Sequence, residues 1–297
     1  MLQFNRFILH FWVNSSIKLL SKKHTHNANK LKDPQIQLFP MAVYTSEIAS
    51  SELVSDNPVH QRLFFGYVAS EKYVKGELLE VGCGTGRGLE ILVNASDRYT
   101  GIDKNEPLIK EHSAKYPQSK FYDQNVPPFT NISDESMDTV ITFHVIEHIK
   151  DDNEFVKEIK RVLKPGGTAI VTTPNVDMRL ARNPWHVREY TRVGLKNLLE
   201  KHFDSVECKG ICGSTKMMEY FEENRKSVQK IMKFDILNLQ YLLPAFILKM
   251  PYDFMNRRNR NKLIEHDDSL ASSITVNDFS LDDSRTDFLD HFMIVKK

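Results

Sequence analysis

The sequence predicts an α/β fold built on a doubly wound, mostly parallel sheet, and three observations carry that expectation. From Leu78 to Thr173 short apolar runs alternate with segments of helical periodicity, the rhythm of strand and crossover helix. The first run, Leu78-Leu79-Glu80-Val81, passes directly into the glycine-rich stretch Gly82-Cys83-Gly84-Thr85-Gly86-Arg87-Gly88, where backbone N–H groups can approach a ligand closely. A second run, Tyr99-Thr100-Gly101-Ile102, ends in Asp103, 21 residues after Gly82. A chain of 297 residues with 41% hydrophobic content can bury one such core and carry an insertion, whereas two independent catalytic domains would be crowded.

Taken in order, Asn57-Pro58 reads as a helix start, and residues 59–74 carry Leu63, Tyr67, Val68 and Val74 at helical spacing before Lys75-Gly76 ends the segment. That helix would lead into the first strand and could cover a bound ligand. Strands are expected near 78–81, 99–102, 119–122, 138–143 and 168–173. The connecting helices are expected near 86–94, 105–115 and 152–163, the last turning Phe155, Ile159, Val162 and Leu163 inward. A helix over 192–202, a sixth strand over 205–208 and a final strand over 291–296 complete the core. Lys216 to His266 is too long for a simple connection between those last two strands and reads as a helical insertion before the last strand. It is amphipathic, with Ile231, Phe234, Leu242, Phe246 and Met250 ahead of the basic cluster Arg257, Arg258, Arg260 and Lys262. A helical subdomain on the sheet edge is one reading; the other is a substrate lid or an interfacial surface meeting an amphiphilic substrate. The expected division is thus an extension over 1–40, cap helices over 41–75, a core over 76–215, the insertion over 216–266 and a closing segment over 267–297.

The glycine-rich turn does not fit the dinucleotide fingerprint G-x-G-x-x-G. Counted from Gly82 its last position is Arg87, and counted from Gly84 it is Leu89; E-x-G-x-G-x-G describes it better. With Asp103, that pattern resembles the cofactor half of class I S-adenosylmethionine-dependent methyltransferases. The resemblance extends over roughly residues 76–176. It takes in Asn125-Val126-Pro127-Pro128-Phe129, the run Met137 to Phe143 leading into His144-Val145-Ile146-Glu147-His148, and Leu163-Lys164-Pro165-Gly166-Gly167 before the fifth strand. It implies a Rossmann-like sheet of seven strands, the seventh antiparallel and inserted between the fifth and sixth, with S-adenosyl-L-methionine as cofactor.

On that resemblance Gly82, Gly84 and Gly86 would let the turn pass under the methionine and ribose, with Cys83 a small buried residue between them. Glu80 would help hold the amino group, directly or through water. Asp103 can accept hydrogen bonds from both ribose hydroxyls, with Lys104 beside it. Asn125, usually Asp in the family, would pair with the adenine amino group and the Val126 N–H with a ring nitrogen; Asp123 is the runner-up. Phe143 and His144 would flank the transferable methyl group. His186, in Trp185-His186-Val187-Arg188-Glu189 after the fifth strand, and His144 are the candidate catalytic residues, since a histidine can take a proton near neutral pH. His144, Glu147 and His148 would share one face of a helix starting by His144. Metal-dependent relatives, ubiquinone-pathway O-methyltransferases and small-RNA 3′-terminal 2′-O-methyltransferases, carry Glu, Glu and His there. His144 replaces the first Glu, so no metal is expected by default; Glu147, His148 and His186 are the ligands to consider for a divalent ion.

Lys and Arg total 40 against 39 Asp and Glu, so no global field draws the chain to nucleic acid or an anionic membrane, and any such contact must be local. Cys83, Cys208 and Cys212 are too few and too poorly spaced for a disulfide framework, which suits a reducing cytoplasm. The apolar run Phe7 to Val13 is short, contains His10 and lacks a small-x-small cleavage site, so a loosely ordered extension is expected, with Met41 as an alternative start. No run approaches the ~20 apolar residues a bilayer span needs; peripheral membrane contact would go through the insertion. The leading expectation is a cytoplasmic methyltransferase acting on an oxygen, less readily a nitrogen, of a small molecule, quinone precursor or saccharide-type metabolite. RNA 3′-terminal 2′-O-methylation and a noncatalytic cofactor-binding regulatory module are the alternatives.

Overall fold

The computed structural model describes residues 53–233, 235, 238–266 and 268–297. The expectations for the N-terminal extension, and for residues 41–52 of the cap segment, lie outside the described residues. The element order is α1 (Asn57–Ser70), β1 (Glu77–Val81), α2 (Leu89–Ala95), β2 (Arg98–Asp103), α3 (Glu106–Lys115), β3 (Lys120–Asp123), β4 (Met137–Phe143), α4 (Asp152–Val162) and β5 (Leu163–Pro174). Then follow α5 (Arg192–Glu200), β6 (Ser205–Gly213), α6 (Thr215–Met232), α7 (Leu239–Leu242), α8 (Ala245–His266), α9 (Asp268–Ser273), β7 (Phe279–Asp282) and β8 (Asp290–Lys296).

The sheet runs β3-β2-β1-β4-β5-β8-β6-β7. Strands β1 to β5 pair in parallel, and β8 enters antiparallel between β5 and β6. The order reverses beside β1, so the carboxyl ends of β1, β2 and β4 open onto one crevice, where doubly wound sheets bind ligands. One expectation on the sheet needs correction: among the described residues it has eight strands, not seven. The expected sixth strand continues from Cys208 to Gly213, and the added length offers an edge to which β7 pairs antiparallel. Phe279-Ser280-Leu281-Asp282 holds only two apolar residues, too short a pattern to read as a strand; the partner edge makes it one.

Both faces of the sheet are covered, and alternate residues of each strand fall on opposite sides. Leu79, Val140, Met293 and Val295 join Phe155, Ile159, Leu195 and Phe203 in one core cluster, while Leu78, Ile141, Phe292 and Ile294 join Tyr67, Leu92, Met217 and Tyr220 in the other. Helix α4 buries Phe155, Val156, Ile159 and Val162, and the Asp151 side chain caps it by accepting the Glu154 N–H. The insertion is fastened to α1 at its base. Asp56, fully buried, accepts hydrogen bonds from Arg257 at 2.8 and 3.1 Å and from Arg260 at 2.9 Å. The Asn57 side chain donates to the carbonyls of Ala271 and Ile274.

Candidate active site

The glycine-rich turn leaves β1 with positive φ at Gly82 (83°) and Gly84 (49°). A Cβ on Gly82 would stand 2.3 Å from Val145 Cγ2, so packing alone excludes a side chain there; at Gly84 a Cβ would meet nothing within 4 Å and would project into open space. The turn is fastened on both sides. The Gly84 N–H donates to Asp103 Oδ2 at 2.9 Å, and its carbonyl accepts from His112 Nε2 at 2.8 Å. The other Asp103 oxygen accepts the Asn105 N–H at 2.9 Å, so the carboxylate is held in one orientation, and the cap of α3 falls to the Asn105 side chain.

A cavity of about 390 Å³ opens beside this turn. Gly82, Cys83, Gly84, Asp103, Lys104, Asn125, Val126, Phe143 and His144 all line it. Two residues expected to hold the cofactor, Glu80 and Gly86, do not line it: a Cβ on Gly86 would meet Leu89 and His112. Glu80 is 1% exposed; its oxygens accept the hydroxyls of Tyr67, at 2.9 Å, and Tyr99. Burial pushes its carboxyl up to about 7, against the two tyrosine hydrogen bonds that favour the charged form; the Asp103 charge adds to the rise. Tyr67, Arg87 and Gln124 also line the cavity. No linear spacing marks them as ligand contacts; Tyr67 appears in the sequence only as part of an apolar helical stripe.

A second cavity of about 350 Å³ lies between the carboxyl edge of the sheet and the insertion, lined by Met178, Leu180, Met217, Val228, Tyr252 and Met255 among others, with His186 and Glu189 on its polar side. Leu63, His144 and His148 line both cavities. The expected helix beginning at His144 does not form. His144 is left-handed (φ 55°), and one 3-10 turn, Ile146–His148, follows it. The His144 N–H is drawn instead to the Thr172 carbonyl on β5 at 3.0 Å, and Val145 packs under Gly82. Tertiary contacts thus override the local helical pattern.

The sharp turn nonetheless gathers polar groups. His144 Nδ1 lies 3.4 Å from Glu147 Oε1, and its Nε2 3.8 Å from Asp290 Oδ2, which also faces Arg62 Nε at 3.2 Å. Glu147 is 1% exposed. Burial would raise its pKa, but the His144 hydrogen bond and the charges of His144, His148 and His186 outweigh burial and hold it down at about 2. His186 Nδ1 donates to Glu189 Oε1 at 2.8 Å, while its Nε2 accepts the Asn183 amide at 2.8 Å. Glu189 is anchored in turn by Arg179 at 2.9 Å. His148 Nδ1 donates to the Trp185 carbonyl at 3.0 Å. One ligand atom each of Glu147, His148 and His186 falls within 4.8 Å of the others, and the buried Glu147 Oε1 faces His144 Nδ1 only at the long distance of 3.4 Å. His144 is outside this group.

The comparisons with known proteins agree with this geometry. Residues 79–171 match the family described as methyltransferase domain. A probable S-adenosylmethionine-dependent methyltransferase of Mycolicibacterium smegmatis is 37% identical over 129 residues, 42% of this chain and 50% of the relative. The mitochondrial ubiquinone biosynthesis O-methyltransferase of Dictyostelium discoideum is 28% identical over 140 residues, 42% of this chain and 40% of the relative. The chain thus spans about half the length of the curated relatives it matches. A Thermotoga maritima structure described as an S-adenosylmethionine-dependent methyltransferase, possible histamine N-methyltransferase, aligns with a TM-score of 0.50 at 16% identity over 80% of this chain and 91% of that one, which supports the fold. The cofactor of this domain's family is S-adenosylmethionine. The match over residues 79–171 and these relatives support a class I S-adenosylmethionine-dependent methyltransferase domain over that part of the chain.

Proposed function

We propose that the protein methylates an oxygen, less readily a nitrogen, of a small molecule with an apolar body, a quinone precursor being the leading class and a saccharide-type metabolite the next. The observation that carries the reading is the wall of Leu63, His144 and His148 common to both cavities, which supports an acceptor in the second cavity meeting the reactive end of a cofactor in the first. The methionine-rich lining of the second cavity suits a ring or chain, and ubiquinone biosynthesis O-methyltransferases are among the relatives.

When bound, S-adenosylmethionine supplies an electrophilic methyl group. The remaining work is alignment, exclusion of water and removal of the acceptor proton. The Asp103 carboxylate, fixed by two backbone N–H groups, would accept the ribose hydroxyls, and Asn125 and Val126 would meet the adenine. His186, oriented by Glu189, takes the proton at Nε2 once the Asn183 amide yields to the acceptor hydroxyl. His144 positions the acceptor at the common wall. A second reading, favoured by the approach of Glu147, His148 and His186, places a divalent cation on those three residues, each histidine backed through Nδ1 by a carbonyl or carboxylate. A cation there would lower the pKa of an acceptor hydroxyl, and His186 would then be its ligand and not a base.

The test is methyl transfer from labelled S-adenosylmethionine to demethylated quinone precursors, sugars and RNA, with and without chelator, alongside metal analysis of the purified protein. Labelling of catechol-type acceptors is the expected result. Labelling of RNA alone would replace the small-molecule reading, and cofactor binding without transfer to any acceptor would favour the regulatory one.

A further inference from the structure

The outer face of the insertion carries an apolar stripe. Phe246, Met250 and Phe254 of α8 are 75%, 83% and 64% exposed, and Ile247 beside them 43%. At 100° per residue these four fall within an arc of roughly 100° on the helix. Tyr252, Met255, Asn256 and Asn259, which line the acceptor cavity, occupy the opposite arc. One helix therefore presents one side to the acceptor and the other to the surroundings. Tyr241 and Leu242 of α7, just ahead of α8 in the chain, are exposed as well. Isolated exposed apolar side chains are ordinary; a row on one face is not.

Charge identifies the occupant. The i, i+4 row Phe246, Met250, Phe254 continues into Arg258 and Lys262, both exposed. Between Leu239 and Lys262 the chain holds Lys249, Arg258 and Lys262, besides the Arg257 and Arg260 that pair with buried Asp56, against the single acidic residue Asp253, whose carboxylate accepts the Trp185 indole N–H at 3.1 Å. Aromatic and aliphatic side chains followed by basic ones along one flank match an anionic bilayer surface. The apolar groups enter the acyl boundary, and the basic groups stay among the phosphates. This charge is local, since the whole chain is nearly neutral.

We propose that α7 and the first half of α8 dock the protein onto an anionic lipid bilayer. The acceptor cavity then lies one helix diameter, about 10 Å, from the interface, within reach of a membrane-borne amphiphile. Docking needs neither cofactor nor turnover, so its test is independent of the proposed methyl transfer.

The full chain is spun with vesicles of phosphatidylcholine alone and of phosphatidylcholine and phosphatidylglycerol in equal parts. It should pellet with the anionic vesicles, and salt should release it. Phe246→Glu, Met250→Glu and Phe254→Glu together should lower the partition coefficient by about tenfold or more, with S-adenosylmethionine affinity and melting temperature as in the parent. Arg258→Glu with Lys262→Glu should weaken binding to anionic vesicles and leave any binding to phosphatidylcholine alone unchanged. A parent chain that stays in the supernatant with both vesicles, or a triple variant that pellets as well as the parent, overturns the proposal. So does a parent dimer that the triple variant breaks without any vesicle binding, which would make the stripe a contact between copies of the chain.

Discussion

Asp103 and His186 hold their side chains by unlike means, and that difference sets what each substitution should do. Asp103 lies at the end of β2 with both oxygens accepting backbone N–H groups, so its position is independent of any ligand. Asp103→Ala should weaken S-adenosylmethionine binding by about 1–3 kcal/mol, the loss expected for a hydrogen bond to a charged group. Titration calorimetry reads this directly, and NAD should give no heat because the turn lacks the dinucleotide spacing. His186 lies on the other side of the common wall, and its orientation depends on Glu189 and Asn183. His186→Ala should lower turnover by about 10²-fold or more with cofactor affinity nearly unchanged; parental turnover would remove it from the chemistry. If the cation reading holds, chelator should reproduce the loss in the parent and add nothing in the variant.

On the proposed reading, the insertion serves the acceptor and not the cofactor. Helices α6 and α8 supply much of the second cavity and none of the first. Replacing residues 216–266 by a short connection should therefore change the acceptor profile while S-adenosylmethionine affinity is kept. The replacement removes Arg257 and Arg260 and would leave Asp56 buried without them, so it should carry Asp56→Asn. In the intact chain, Asp56→Ala leaves Arg257 and Arg260 without their shared carboxylate and should cost about 3 kcal/mol of stability, as for other broken buried ion pairs. Denaturant unfolding measures it, and a change below about 1 kcal/mol, the range of an exposed pair, would show that solvent already satisfies those arginines.

For the whole molecule, Glu80 should give stability a pH dependence. Its ordinary value is 4.5 and its folded value about 7, so between these pH values the unfolded chain has released a proton that the folded chain keeps. Stability from this group is present below pH 4.5 and lost as pH rises toward 7. Glu147 acts in the opposite sense and elsewhere: held at about 2, it contributes above its ordinary value and loses that contribution as pH falls toward 2. Glu80→Gln should therefore flatten the melting temperature across pH 4.5 to 7, and an unchanged slope would assign the dependence to other groups. That burial could not be read from the chain, where Glu80 is the first position of E-x-G-x-G-x-G and is expected to hold the cofactor's amino group. What the sequence determined by itself is what depends on near neighbours along the chain: the strand and helix rhythm of residues 78–173, the turn at Gly82 to Gly86, the carboxylate at Asp103 and the amphipathic insertion. Periodicity and glycine's freedom at positive φ act over a few residues, so they are legible locally. The tertiary structure decided the rest. The two tyrosines on Glu80 come from α1 and β2, His144 is turned left-handed by its bond to β5, the eighth strand exists because β6 has an edge to offer, and His186 reaches Glu147 and His148 across the sheet's carboxyl end. Each joins groups remote in sequence, and only the packing of both sheet faces fixes their distances.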